Sequence, residues 1–410
     1  MTTLLVFSSD PPYASEPGRA PSVGGAEHAL RWTAEEAAAQ GWRVVYAALD
    51  ARRLTLAPGV EHRAISGVDV RFLRPVAAPS LGVVLTEPRL GFLRVELAKI
   101  MREIQPDIAL SYAPDPDTWL LIEARRLAGT TTRIVERVSG RLWEKGLLGG
   151  GAPAERVRRA FAERDASIYA SRFIRGYTHS VLHRNRIEPS GAELVADLSS
   201  QPRQATTAPL PAEVQEFLAR HEKPLSFVGR FMYGSKRQDV ALEALSLLRD
   251  RGIKPAIVFA GDGELLDGAK QHAEELGVAD QCMFAGALSA GGVAALVDAS
   301  ALGLLLTDFE GSSRASLEYL LRGVPVLMTD IPGNAEHLEF APELARMLLC
   351  GASPVTVASR LEKLLTQPLA FEAARRHTVA LAPVLADSLR PQAFVLALQS
   401  VVQHPARSVH

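Results

Sequence analysis

The sequence predicts an α/β protein built as two doubly wound domains, each around a parallel sheet. Three observations carry this. The chain has 410 residues, more than one hydrophobic core usually organises. Short apolar runs alternate with helix-period segments through both halves, as they do when crossover helices join parallel strands. Residues 201–210 read Gln-Pro-Arg-Gln-Ala-Thr-Thr-Ala-Pro-Leu, small, polar and proline-bearing like a linker. The domains are accordingly drawn at 1–204 and 205–385.

In the first half a strand at 4–7 leads through a Gly/Pro-rich loop at 10–25 into a helix over 26–40 and a strand at 43–46. A strand at 68–73, a helix at 90–104, a strand at 108–110, a helix near 118–128 and a strand at 134–135 follow. The second half opens with a strand at 225–228, a helix at 238–251, a strand at 256–260 and a helix at 265–276. It continues with a strand at 283–284, a helix at 292–299, a strand at 302–306, a helix at 313–322 and a strand at 324–328. The strands are short and rich in Val, Ile, Leu and Phe, as strands covered on both faces are.

Composition narrows the function classes. Apolar residues make up 47% and charged residues 22% of the chain, which suits an ordered globular protein. A formal charge of −1 argues against a general nucleic-acid binder. Two cysteines, Cys282 and Cys350, make neither a disulfide framework nor a zinc site and fit a reducing compartment. The run Leu4-Leu5-Val6-Phe7 is shorter than a signal peptide's apolar core, and no uncharged span reaches membrane-crossing length, so a cytoplasmic protein is expected. The basic segment 154–161 reads either as a solvated helix face or as a peripheral contact with anionic lipid at the inner face of the membrane.

In open parallel sheets ligands sit beyond the carboxyl ends of the strands, so the loops there are the candidate site. Gly24-Gly25-Ala26-Glu27-His28 opens the first helix, where bare amides and the helix dipole attract an anion; the glycines also suit a plain tight turn. After the strand at 225–228, Gly229-Arg230 and Lys236 place two cations on one loop, a fit for a diphosphate or simply a basic surface. Gly261-Asp262-Gly263 follows the next strand and permits close backbone approach, though the helix after it lacks the third glycine of a dinucleotide fingerprint. The segment Glu310-Gly311-Ser312-Ser313-Arg314-Ala315-Ser316-Leu317-Glu318 offers two carboxylates for hydroxyl-rich ligands and helix-start amides for phosphate. It also reads as a loop acid followed by a solvated helix acid.

Taken in order, these motifs resemble the family-4 retaining glycosyltransferases of the GT-B fold. The matching residues are Gly24-Gly25-Ala26-Glu27, Val228-Gly229-Arg230 with Lys236, Gly261-Asp262-Gly263, Phe284-Ala285-Gly286, Glu310-Gly311 with Glu318 as a Glu-x7-Glu pattern, and Gly323-Val324-Pro325-Val326. The resemblance implies two Rossmann-like domains facing across a cleft, with a C-terminal helix in 386–410 crossing back to the first. It implies that Arg230 and Lys236 hold the donor diphosphate, Glu310 the transferred sugar and Glu318 the ribose. Backbone from Gly286 to Leu288 would meet the nucleobase, Gly311, Ser312 and Ser313 would offer amides to phosphate, and Gly24 and Gly25 would lie under the diphosphate beside the acceptor. Members of the class retain anomeric configuration and need no metal or cofactor, because cations stabilise the leaving group. The donor, UDP- or GDP-linked, is a co-substrate, and the acceptor is a glycan, a glycolipid or a small molecule.

The chain also departs from the family's pattern. Lys236 lies six positions after Arg230, one more than usual. Where the family often has a histidine after the strand at 108–110, this chain has Ser111-Tyr112-Ala113-Pro114-Asp115, which leaves Tyr112 and Asp115, with His28 beside the first loop, as acceptor-side candidates. Glu193 to Leu198 replaces the usual Asn-Gly-Val-Asp before the linker. These departures keep a second reading open, a GT-B nucleotide-sugar-binding or regulatory subunit without turnover. A Rossmann oxidoreductase would rest on the glycine loops alone.

Overall fold

The computed structural model describes residues 1–9, 25–50, 59–75, 87–141, 143–196, 207–232, 236–389 and 391–403; at 25–28 and 391 it describes the backbone only. The chain forms two compact units, Met1–Ser199 with Arg390–His410, and Ser200–Leu389.

The first unit is built on an eight-stranded sheet. Its strands are β1 Thr3–Ser8, β2 Arg43–Leu49, β3 Gly59–Ile65, β4 Val68–Arg74, β5 Ile108–Ser111, β6 Arg133–Val138, β7 Ala166–Tyr169 and β8 Ala192–Val195. They run in the order β3-β4-β2-β1-β5-β6-β7-β8, parallel except for the β3/β4 hairpin. All six residues of β1 are buried, which explains its unbroken apolar run. Strand β3, Gly-Val-Glu-His-Arg-Ala-Ile, carries no such run and lies at the exposed edge, so the apolar pattern did not announce it. Its turn places Ser66 and Gly67 at φ 52° and 78°, the left-handed pair that matches a hairpin's twist.

Both faces of this sheet are covered. One packs Leu4, Val6 and Tyr46 against Ala29 and Leu30 of helix Gly25–Ala39 and against Phe394, Val395, Leu398 and Val401 of helix Pro391–Gln403. The other packs Leu5, Phe7 and Ile134 against helices Glu87–Ile104 and Trp119–Ala128.

The second unit holds a six-stranded sheet of β9 Leu225–Val228, β10 Ile257–Ala260, β11 Cys282–Gly286, β12 Leu302–Leu305, β13 Val326–Thr329 and β14 Leu349–Cys350. All its pairings are parallel, in the order β11-β10-β9-β12-β13-β14. The α/β expectation holds in both sheets, and the predicted strands and helices of the second half match the observed ones to within one to three residues at most ends. The stretch 368–403 is long and apolar enough to cross a membrane by composition. Its apolar residues nevertheless close cores: Ala374, Leu381 and Leu385 the second, Phe394 to Val401 the first.

Each sheet reverses its winding once, between β1 and β5 in the first and between β9 and β12 in the second. At such switch points adjacent connections leave to opposite faces, and the crevice between them is where ligands bind.

Candidate active site

The switch point of the second sheet gathers most of the residues singled out in the sequence. Lys236, after β9, forms an ion pair with Glu310, after β12. Backbone geometry fixes both partners. Lys236 makes an isolated antiparallel bridge with Thr307, and the Arg237 amide donates to Leu306 O at 2.9 Å. The Lys236 stem lies over Gly229, where an added Cβ would come within 3.3 Å of its Cγ. The two side chains are 13% and 16% exposed, so the pair is shielded yet reachable from solvent.

Glycine accounts for the tightness of the surrounding loops. Gly261 sits at φ +152°, and a Cβ there would lie 2.0 Å from Gly229 O; Gly263, at φ +148°, would meet Phe231 O at 2.2 Å. Contacts that short exclude any side chain. The loops are tied by Gly229 N to Ala260 O at 2.9 Å, Phe231 N to Asp262 O at 3.0 Å and Gly261 N to Gly286 O at 2.8 Å. Beneath them Phe227, Phe231, Phe259 and Phe284 form a connected aromatic cluster, Phe259 stacked on Phe284 with centroids 5.2 Å apart. Leu288, half-buried, lies just past β11, before the Ser289 cap of helix Ala290–Asp298. Arg230 is exposed; its carbonyl accepts from Gln238 Nε2 at 3.0 Å, and among the described residues no carboxylate pairs with its guanidinium. The neighbouring Arg237 is held by Asp239 and Asp308 at 2.9 and 3.0 Å.

The acidic loop continues into helix Arg314–Leu321, capped by Ser313, whose side chain accepts from Ser316 N. Glu318 lies 3.8 Å from Arg314, with 34% of its side chain exposed. Burial pushes its carboxyl above the ordinary carboxylate range, against the pull of Arg314 and Arg322. Sequence reading missed two residues here. Gly333, on the turn Pro332–Ala335, underlies the loop: a Cβ on it would lie 1.9 Å from Glu310 O. His337 is buried and bridges Ser312 and Ser316 at 3.0 and 2.9 Å. The Pro-Gly pair after β13 signals the first, while the second has no signal in one sequence.

The first-unit candidates are used differently. Gly24 lies outside the described residues, Gly25 begins the first helix, and the side chain of His28 is likewise not described. Tyr112 is half-buried against the core. Asp115, which the sequence offers as a site acid, is held by Arg156 at 2.5 Å, and that guanidinium stacks over Trp119 at 5.5 Å. Asp115-Pro116-Asp117 is an Asp-x-Asp triplet, but its two carboxylates have different partners, Asp117 being buried and accepting from Ser9 N at 3.2 Å. Among the described residues no group of three or more His, Cys, Asp or Glu is arranged to hold a metal. The basic segment 154–161 falls on helix Gly151–Glu163. Its Arg156 pairs with Asp115, its Arg159 with Glu123 and Glu163, and its exposed Arg158 donates to Asn185 O.

Residues 213–377, which contain the whole Lys236/Glu310 cluster, match the family described as glycosyl transferases group 1. The fold is GT-B, and solved structures share it across the full chain. The sucrose-phosphate synthase of Thermosynechococcus elongatus superposes with a TM-score of 0.73 at 14% identity, covering 98% of both chains. The E. coli trehalose-6-phosphate structure bound with UDP-2-fluoro glucose gives 0.71 at 13% identity, covering 99% of this chain and 100% of that one. A UDP-forming α,α-trehalose-phosphate synthase from Burkholderia xenovorans, in complex with glucose-6-phosphate, gives 0.70 at 14% identity over 97% and 100%. At these identities the likeness is one of fold. A curated relative of another kind, a gamma-glutamyl phosphate reductase of Methylocella silvestris, is 27% identical over 212 residues, 48% of this chain and 46% of the relative. The chain spans about half the length of that protein.

Proposed function

We propose that this protein is a retaining, metal-independent glycosyltransferase that moves a sugar from a nucleotide diphosphate donor held by the second unit. The observation that carries the reading is the Lys236–Glu310 pair at the switch point of the second sheet, inside the stretch that matches group 1 glycosyl transferases. In the structure Lys236 and Glu310 satisfy each other's charge. An arriving diphosphate draws Lys236 away, and Arg230, already exposed, adds the second cation. Glu310 is then free to accept hydrogen bonds from the hydroxyls of the transferred sugar, while Glu318 faces the ribose.

The bond that breaks joins the anomeric carbon to the donor phosphate, and the departing diphosphate carries growing negative charge that Arg230 and Lys236 stabilise. The acceptor oxygen bonds to the same face of that carbon, and its proton passes to the leaving phosphate oxygen. UDP is the first donor base to try and sugar phosphates join glycans and glycolipids as acceptors, because the fold neighbours are described with UDP-sugar and glucose-6-phosphate.

The alternative is a nucleotide-sugar-binding subunit without turnover. It draws on the segment after β5, where no histidine stands and Asp115 is held by Arg156.

The test is donor cleavage in EDTA, using UDP-, GDP- and ADP-sugars with and without a panel of sugar-phosphate and glycan acceptors. The wild type is compared with Glu310→Ala and Arg230→Ala. Nucleotide diphosphate release that survives EDTA and disappears in both variants supports the transferase, and retention is read from the product's anomeric configuration by NMR. Tight donor binding without release under every acceptor favours the binding subunit. Binding of NAD(P)H in a fluorescence titration, with no nucleotide-sugar binding, would replace both readings with the oxidoreductase that the reductase relative suggests.

A further inference from the structure

His337 occupies a place that the proposed reaction has not used. It sits on the turn that follows Pro332–Ala335 and reaches two elements of the acidic loop, Ser312 by Nε2 and Ser316 by Nδ1. The protons can be assigned. The Ser316 hydroxyl donates to Ser313 O at 2.8 Å, so its single hydrogen is engaged and its oxygen must accept from His337. Nδ1 therefore carries the hydrogen. In the neutral ring Nε2 is then the acceptor, and Ser312 donates to it.

The consequence is mechanical. The segment 310–316 is gripped at two points by one short stretch of chain: Gly333 lies directly under Glu310 O, and His337 holds both Ser312 and the opening turn of helix Arg314–Leu321. His337 is 6% exposed and Ser316 fully buried, so the link runs through the interior.

We propose that His337 is a positioning residue of the donor site: through its paired hydrogen bonds it fixes Ser312 beside Glu310 and Gly311, so that this loop meets a nucleotide diphosphate preformed. The inference rests on the donor-site reading above. A preformed loop loses less conformational freedom on binding, so loosening it lowers donor affinity without disturbing the sheet.

The experiment is calorimetric titration of the full chain with UDP, GDP and ADP. It compares the wild type with His337→Asn, His337→Gln, Ser312→Ala and the His337→Asn/Ser312→Ala double variant, each with its thermal midpoint. An asparagine amide can take over donation to Ser316 but is too short to replace the bond from Ser312, whereas glutamine reaches towards Ser312. Expected are a roughly three- to tenfold weaker Kd for His337→Asn and for Ser312→Ala, the range of one hydrogen bond, with midpoints near wild type. The double variant should lose no more than either single one, since all three remove one link, and His337→Gln should recover part of the affinity. Wild-type binding with an unaffected His337→Asn, or losses that multiply in the double variant, overturns the inference alone. A wild type that binds no nucleoside diphosphate overturns the donor-site reading, and this inference with it.

Discussion

Both sheets reverse at a switch point, and the chain furnishes both places with charged side chains, but to opposite ends. Between β9 and β12 a cation and an acid from neighbouring loops face each other in a partly open recess, on backbone held close by Gly229, Gly261, Gly263 and Gly333. Between β1 and β5 the acids turn inward: Asp117 accepts from the Ser9 amide, and Asp115 binds Arg156 of helix Gly151–Glu163. The same unit buries a full ion pair, Glu136 on β6 with Arg164 just past that helix, at 2.9 Å and 0% exposure. The difference separates charges that a ligand can recruit from charges that hold helices to a sheet, and the two kinds should respond oppositely to substitution.

The largest effect is expected at the structural pair. Arg164→Met leaves Glu136 buried without its cation, and breaking such a pair costs about 3–5 kcal/mol, read from urea denaturation. The Glu136→Leu/Arg164→Met double variant should recover most of it. Nucleotide binding by the second unit should be unchanged in the double variant; a loss there would break the division drawn above.

At the second switch point the order inverts. Lys236→Ala removes a cation that the proposed mechanism aims at the leaving group, and kcat/KM for the donor should fall by about 10²–10³, with a smaller drop in thermal midpoint than Arg164→Met because the pair, 13% and 16% exposed, keeps some access to solvent. A fall in stability as large as that of Arg164→Met would put Lys236 among the structural charges instead.

How much of this the sequence discloses follows the same line. The loops at the second switch point are legible because close backbone approach demands glycine, and glycine after a short apolar strand is visible: Gly261, Gly263 and Glu310-Gly311 all follow the strands where the pattern put them. The structural charges are hidden. Glu136 and Arg137 fall just past a strand predicted at 134–135, although β6 continues through both to Val138, and only the fold reveals that Glu136 is fully buried against Arg164. His337 escaped for a different reason, since its partners Ser312 and Ser316 are 25 and 21 residues away and nothing in local periodicity links them. Asp115 was legible as an acid at the right sheet edge, but not as one already held by Arg156.

The buried pair also predicts a pH dependence. Burial pushes the Glu136 carboxyl from an ordinary 4.5 up to about 7, against the attraction of Arg164. An acid with the higher pKa in the folded state binds its proton more tightly there, so this group's contribution to stability falls as pH rises from about 4.5 to about 7 and is level beyond. Across that window the difference in unfolding free energy between wild type and Glu136→Gln should drift against the wild type by at most about 3 kcal/mol. A flat difference curve would mean that Arg164 keeps Glu136 ionised throughout.

The smallest effect tests the foundation of the proposed donor loop and not its charges. Gly333 carries no chemistry, yet a methyl there would have to occupy space 1.9 Å from Glu310 O and 3.3 Å from Gly311 O. The turn Pro332–Ala335 is anchored from below, where Asn334 Nδ2 donates to Thr329 O at 2.9 Å and the Thr329 hydroxyl donates to Thr307 O at 2.8 Å. The loop above is the freer partner, so Gly333→Ala should lift the Glu310 backbone and leave the sheet in place. Overpacking of this kind costs about 1–3 kcal/mol, and here the strain should appear mainly as weaker donor binding with a modest drop in thermal midpoint. Serine should behave like alanine, because the obstacle is the Cβ itself. If Gly333→Ala lowered the midpoint sharply while donor affinity held, the turn would belong to the core and Glu310 would owe its position to Lys236 alone.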